Sequence, residues 1–244
     1  MKSVLILGAK SDIAIETSKV YARKGWNLIL AGRNINEQLI TFKDHLISEF
    51  DCNIELCELD ILDYKSHEKI IKSLKNKPTG IISYIGYLGD QKSAETDYTE
   101  TKKIIDSNFT GLISIINIFA NYFSIKKKGF IIVITSVAGD RGRKSNYIYA
   151  SAKSALNTYL SGLRNRLCSK NILVSTIKPG YVNTKMTKEL ELPAILTVTP
   201  KYVAKKVFKA QQKNIEEMYI PGIWLLIMFI IKLIPEKIFK NLNI

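Results

Sequence analysis

The sequence predicts an α/β protein: a doubly wound parallel sheet in a single domain, followed by an apolar C-terminal extension. Three observations carry this. Short apolar runs recur at residues 4–7, 28–31, 54–59, 80–85, 129–135 and 173–177, several of them apolar at consecutive positions, as strands buried on both faces are. Amphipathic stretches at 13–24, 66–74, 101–123 and 149–168 lie between them and read as crossover helices. Right-handed crossovers then put helices on both faces of one sheet, a size of core that 244 residues can fill as one domain. In such sheets ligands bind beyond the carboxyl ends of the strands, so the residues after each strand are the ones to read.

After the first strand comes Gly8-Ala9-Lys10-Ser11-Asp12-Ile13-Ala14. Gly8 permits a tight turn, and the following helix aims free N–H groups at a pyrophosphate. Only one glycine stands where such turns usually carry three, so an ordinary strand–turn–helix also fits. After the second strand, the position of an acid that would grip the ribose 2′-hydroxyl of NAD holds Gly32 and Arg33, with Lys10 at hand from the first turn. A guanidinium suits a 2′-phosphate, so NADP(H) is favoured over NAD(H). Asp60, after the third strand, suits either an adenine contact or a helix cap.

The fifth strand leads to the densest chemistry. Ser136 ends it, Tyr149 follows thirteen residues later, and Lys153 lies four beyond, in Tyr-Ala-Ser-Ala-Lys. On a helix, i and i+4 share a face, so the lysine stands beside the phenol. A phenol of ordinary pKa near ~10 is a poor acid–base group at neutral pH. A neighbouring ammonium favours the phenolate and is expected to lower that pKa, and Ser136 can hydrogen-bond the same substrate oxygen. Tyr147 has Ser151 at its i+4 position and reads as pocket wall.

With Asn108 in Ser-Asn-Phe-Thr-Gly and the Lys-Pro-Gly-Tyr-Val-Asn-Thr run at 178–184, the chain resembles the short-chain dehydrogenase/reductases of the single-domain, Ser-Tyr-Lys type, nearly end to end. The resemblance implies a Rossmann-like domain over 1–220. It makes Tyr149 the acid–base residue and has Lys153 lower its pKa and hold the nicotinamide ribose. Ser136 would orient the carbonyl and Asn108 would support a proton-relay water. Val182 and Thr184 would contact the carboxamide, with Pro179, Gly180, Ser11, Asp12 and Ile13 also lining the cofactor. Two departures stand out: the depleted glycine turn, and Tyr84-Ile85-Gly86 in register with the family's Asn-Ala-Gly. Short stretches are similar to reductases of polyprenyl-phosphate-linked 2-keto-pentoses. The expected activity is therefore hydride transfer between NADP(H) and a carbonyl or alcohol, first on a lipid-linked keto-sugar, alternatively on a 3-oxoacyl or other lipid ketone. A non-catalytic NADPH-binding protein is the rival. A homo-oligomer is expected by resemblance.

Residues 221–244 form the apolar extension. Within it, residues 223–234 hold eleven apolar side chains and one lysine between Pro221 and Pro235. As a helix they span about 18 Å, short of a ~30 Å hydrocarbon core. Packing against the core or a second subunit, a wall over an apolar substrate, and a peripheral membrane contact all fit. Residues 185–198 would form the substrate loop, and Thr199-Pro200 the cap and first residue of the next helix.

The formal charge of +14 predicts attraction to an anionic partner or a lysine-rich solvated surface. No nucleic-acid-binding module or basic–aromatic repeat accompanies it, so no nucleic-acid partner is expected. Cys52, Cys57 and Cys168 form no CxxC pair, and His45 and His67 have no neighbours at ligand spacing, so neither a disulfide framework nor a metal site is expected. The N-terminal apolar run is too short for a signal peptide, which implies a cytoplasmic protein, with the inner face of the membrane as its other expected place.

Overall fold

A computed structural model of the chain describes residues 2–188 and 191–242. Glu189 and Leu190 of the expected substrate loop, and the last two residues of the extension, lie outside the described residues.

Strand β1 (Ser3–Leu7) leads through Gly8 into α1 (Asp12–Arg23) and β2 (Asn27–Gly32). Next come α2 (Ile35–Glu49), β3 (Ile54–Glu58), α3 (Tyr64–His67), α4 (Ile70–Ser73) and β4 (Gly80–Ser83). Helices α5 (Gln91–Thr96) and α6 (Tyr98–Ile105) follow, then a π turn (Asp106–Thr110), α7 (Gly111–Lys126) and β5 (Gly129–Ile134). A 3-10 turn (Val137–Asp140), α8 (Tyr147–Leu167) and β6 (Ile172–Pro179) come next. The short strands β7 (Tyr181–Val182) and β8 (Thr197–Val198), then α9 (Pro200–Gln212), β9 (Glu217–Ile220), α10 (Ile223–Leu233) and α11 (Glu236–Phe239) close the chain.

Seven strands pair in the order β3-β2-β1-β4-β5-β6-β9, every pair parallel. The order reverses between β1 and β4, where Leu7 pairs with both Ala31 and Ser83, so Gly8 and Tyr84 flank the crevice such a switch point creates. Alternation along the strands builds two core layers. Val4, Ile6, Leu28, Leu30 and Ile132 face α1, α2 and α9, whereas Leu5, Leu7, Ile29, Ile131 and Val133 face α7 and α8.

The six strands read from the sequence are present, and β9 adds a seventh. The helix expected over 66–74 is broken into α3 and α4. That expected over 101–123 is interrupted by the π turn that carries Asn108. The helical run Tyr98–Lys126 is long and apolar enough to cross a membrane by length and composition, but Leu112, Ile115, Phe119 and Phe123 bury its inner face in the sheet layer. Thr199 caps α9 by accepting from the Tyr202 N–H, with Pro200 at the first helical position, as expected.

Candidate active site

The turn after β1 is tight and leaves no room for a side chain at its first residue. Gly8 adopts φ +74, and a Cβ there would lie 3.0 Å from the Ile85 nitrogen, so no side chain fits. Its N–H and that of Ala9 both donate to the Ala31 carbonyl, at 2.9 and 3.0 Å. Ser11 caps α1 through the Ala14 N–H, and Ile13 packs partly into the core. Beneath the turn Tyr84 stands where the family pattern places asparagine, and its buried hydroxyl meets Thr17 Oγ1 at 2.5 Å. Burial raises this phenol far above the ordinary range, so it serves as a neutral strut.

At the end of β2 the Lys10 ammonium donates to the Arg33 backbone carbonyl at 2.6 Å. The Glu58 carboxylate accepts the N–H groups of Asn34 and Ile35 at 2.6 and 3.0 Å and so occupies the start of α2. Asp60 caps no helix; it accepts the Leu62 N–H at 3.0 Å, two residues ahead of α3. Asp12 accepts the Lys185 N–H at 2.7 Å, latching the segment after Thr184 across the crevice.

Ser136, Tyr149 and Lys153 converge. Ser136 opens the 3-10 turn, its Oγ accepts the Ala138 N–H at 3.1 Å, and its hydroxyl lies close enough to Tyr149 to favour the phenolate. Gly139 lets that turn press against α8, since a Cβ there would come within 2.8 Å of the Lys153 carbonyl carbon. The Lys153 ammonium lies 5.6 Å from the centroid of the Tyr149 ring, and the residue as a whole is 2% exposed. Among the described residues no ion pair or hydrogen bond holds it.

The acidities depart from the expected pattern. Burial pushes Tyr149 up to about 12, with the Ser136 hydrogen bond pulling the other way, and burial brings Lys153 down to about 8. The ammonium therefore does not acidify the phenol here; desolvation of both groups wins.

Asn108 is fully buried and spends its amide on structure. It donates to the carbonyls of Tyr87 and Ile104 at 2.6 and 2.8 Å, and its Oδ1 accepts the Tyr87 N–H at 3.2 Å. This holds Gly86 open: a Cβ there would lie 3.3 Å from Asn108 Oδ1 and 3.4 Å from Lys153 Nζ. An unpaired buried cation beside this side-chain-free cradle, next to the Gly8 turn, fits a ribose and its phosphates. For the dinucleotide expected from the sequence, the Lys153 ammonium is the donor left over beside a cradle without side chains.

On the far wall Pro179 pairs with Ile220, and the Gly180 N–H donates to the Ile220 carbonyl at 2.9 Å. Val182 is buried against Val198, and Thr184 caps a short turn with Thr187. Trp224 of α10 lies directly on Gly180, where a Cβ would fall 1.8 Å from its ring nitrogen.

One constellation escaped the sequence reading. Lys178 contacts Asp140 at 2.9 Å and Glu217 at 3.0 Å, and the Tyr219 hydroxyl donates to Asp140 at 2.6 Å. This joins the ends of β5, β6 and β9. Arg141, the next residue, donates to the Ile231 and Ile234 carbonyls at 2.5 and 2.6 Å and holds the end of α10 at the site. Their separations in sequence leave no local signal.

The profile of the short chain dehydrogenase family matches residues 2–194. An uncharacterized oxidoreductase of Mycobacterium tuberculosis (strain ATCC 25618 / H37Rv) is 30% identical over 242 residues, covering 98% of this chain and 96% of the relative. A short-chain dehydrogenase from Sphingobium yanoikuyae, solved in complex with NADPH, superposes with a TM-score of 0.82 at 19% identity, covering 97% of each chain. The bulky-bulky ketone specific alcohol dehydrogenase from Comamonas testosteroni does so with a TM-score of 0.80 at 19% identity, over 97% of this chain and 96% of that one.

Proposed function

The chain belongs to the short-chain dehydrogenase family and is an NAD(P)-dependent oxidoreductase, and on that premise we propose that it uses NADPH to reduce the ketone of a bulky, lipid-type substrate. The observation that carries this reading is the convergence of Ser136, Tyr149 and the buried Lys153, whose ammonium lies 5.6 Å from the Tyr149 ring.

Residues 8–13 and Gly86, with Lys153, Pro179, Gly180, Val182 and Thr184, would hold the dinucleotide, which supplies hydride when bound. The chain supplies the rest. Ser136 and Tyr149 direct their hydroxyls at the substrate oxygen and fix its position. As negative charge develops there, Tyr149 gives up its proton, and the O–H bond of the product alcohol forms. The Lys153 cation then faces the phenolate left behind. Asn108 keeps the Gly86 segment in place and leaves one Oδ1 lone pair beside the Lys153 ammonium for a relay water.

Preference for NADPH rests on Lys10 and Arg33, with the NADPH complex of the Sphingobium protein in support. A keto-sugar carried on a polyprenyl phosphate is the first candidate substrate, and a 3-oxoacyl chain the alternative. Both suit the apolar α10 at the mouth, as does the bulky ketone of the Comamonas relative. The protein acts as a homo-oligomer, with residues 221–244 turned to the inner face of the membrane.

The test is turnover of membrane extracts and defined lipid ketones with NADPH, followed by mass analysis of the reduced product. Tyr149→Phe is expected to abolish turnover while cofactor binding stays measurable by fluorescence titration. Near-native turnover in that variant overturns the role given to Tyr149.

A further inference from the structure

Helix α10 is apolar on every side but one. Its inner stripe, Trp224 and Met228, is buried against the body of the protein, with Ile227 and Ile231 packed alongside. Its outer stripe is not covered: Leu225, Leu226, Phe229, Ile230 and Leu233 are each between 54% and 66% exposed. Helices that are hydrophobic all round are normally covered all round, and a patch of this kind on a monomer marks an interaction surface.

The charges around the patch identify its partner. Lys232 stands one turn beyond both Met228 and Phe229, on the rim between the two stripes, and is exposed, as are Lys237 and Lys240. Within residues 221–242 the sole carboxylate is Glu236, and Arg141 engages it at 3.0 Å. The segment therefore presents an exposed apolar face and three exposed lysines that, among the described residues, have no ion-pair partner, on a chain of formal charge +14. With eleven residues α10 is about 16 Å long, too short to cross a ~30 Å hydrocarbon layer but suited to lie in its interface. Lysines at such a rim keep their heads in water while their stems cover apolar surface.

We propose that the outer face of α10 docks flat on a bilayer of anionic phospholipid, with Lys232, Lys237 and Lys240 meeting the headgroups. The docked helix is fixed to the catalytic machinery at both ends: Trp224 rests on Gly180, and Arg141, the residue after the Ser136 turn, holds the carbonyls of Ile231 and Ile234. Docking would set the mouth of the site against the lipid, where a ketone on a lipid anchor is held. The inference rests on the membrane-facing role of residues 221–244 and not on the oxidoreductase reading.

The full chain is mixed with vesicles of phosphatidylcholine alone and of phosphatidylcholine with one third phosphatidylglycerol, and sedimented without cofactor or substrate. Binding is expected to the anionic vesicles and to weaken as salt rises. Leu226→Glu with Phe229→Glu should abolish it. Replacing the three lysines by glutamine should lower it on the order of a hundredfold. Because these side chains are exposed, both variants should melt like the parent. No sedimentation of the parent, equal binding to both vesicle types, or undiminished binding by the double glutamate variant overturns the proposal. So does a parent oligomer that falls apart on the double glutamate substitution without vesicle binding, since the face would then belong to a second copy. Loss of turnover in Tyr149→Phe bears only on the oxidoreductase reading, and vesicle binding in that variant should be unchanged.

Discussion

Removing Lys178 should cost this protein a large part of its stability, and Asp140 should share the cost unequally. The Lys178 ammonium and the Asp140 carboxylate are 9% and 5% exposed and 2.9 Å apart. Burial works against the ammonium, but hydrogen bonds to Asp140 and Glu217, the charge of Asp140 and the Tyr219 hydroxyl outweigh it, so its pKa stands well above that of an ordinary lysine. Lys178→Met leaves a buried carboxylate with Tyr219 as its remaining side-chain donor, a loss of about 3–5 kcal/mol. At roughly 2–4 °C per kcal/mol for a domain of this size, the melting temperature should fall by roughly 6–20 °C. Asp140→Asn should cost less, about 1–3 kcal/mol, because Glu217 still meets the lysine from a half-exposed position. The double replacement by leucine removes both charges and should recover most of the loss.

The sign of the pH effect follows from the raised pKa. The stabilisation by Lys178 is complete below its unfolded value of 10.5 and is lost only as pH rises through the higher folded value. The gap between parent and Lys178→Met should thus be flat from neutral pH to the onset of that range. Circular-dichroism melts of the single and double variants measure this. A Lys178→Met variant within about 1 kcal/mol of the parent would refute the reasoning. Asp140 also closes the turn that Ser136 opens, and a displacement of even 1 Å there lowers kcat on the order of a hundredfold.

Three other substitutions probe the site. Arg33→Ala should weaken NADPH binding by roughly ten- to a hundredfold and leave NADH unchanged, measured by fluorescence titration, with equal affinities in the parent contradicting the 2′-phosphate argument. Gly180→Ala drives a methyl group into the Trp224 indole, 1.8 Å from its nitrogen, and should cost about 1–3 kcal/mol in chemical denaturation, with tryptophan emission reporting the displaced ring. Lys153 has a folded pKa lowered by burial to about 8 from 10.5, so its charged form costs stability below about 8 and the cost is relieved as pH rises towards 10.5. Melting curves of cofactor-free Lys153→Met should accordingly exceed the parent most at neutral pH and converge with it above that window.

Much of this architecture is local and so could be read from residues in order. The strands around Gly8, Arg33 and Ser136 announce themselves by consecutive apolar residues, and Ser11 and Thr199 cap helices through bonds that span three residues. What stayed hidden depends on partners distant in sequence. β9 reads Glu-Met-Tyr-Ile, too short and mixed for a periodicity, and becomes a strand because β6 offers it an open edge. Lys178 and Asp140 meet only once β5 and β6 are aligned. The latch from Lys185 to Asp12 bridges 173 positions, and no spacing rule could expose it.

Tyr149 marks the limit most sharply, because spacing alone points to the opposite acidity. The i, i+4 relation puts the ammonium on the right face, but it says nothing of the medium between the two groups. That medium is protein, and both charged forms are penalised: the phenol rises to about 12 and the ammonium falls to about 8. At neutral pH this leaves a protonated phenol beside a cation, a state that can give a proton and does not readily take one. In the proposed reduction that is the form required. An alkoxide forming at the substrate oxygen is a far stronger base than a phenolate, so transfer from Tyr149 runs downhill. The charge created on the phenolate then finds Lys153 unpaired and in a medium that screens attraction poorly. Desolvation that would hinder alcohol oxidation by this pair therefore favours ketone reduction, and a reductive rate holding level from neutral pH until Lys153 begins to lose its proton near about 8 is the behaviour this electrostatic order entails.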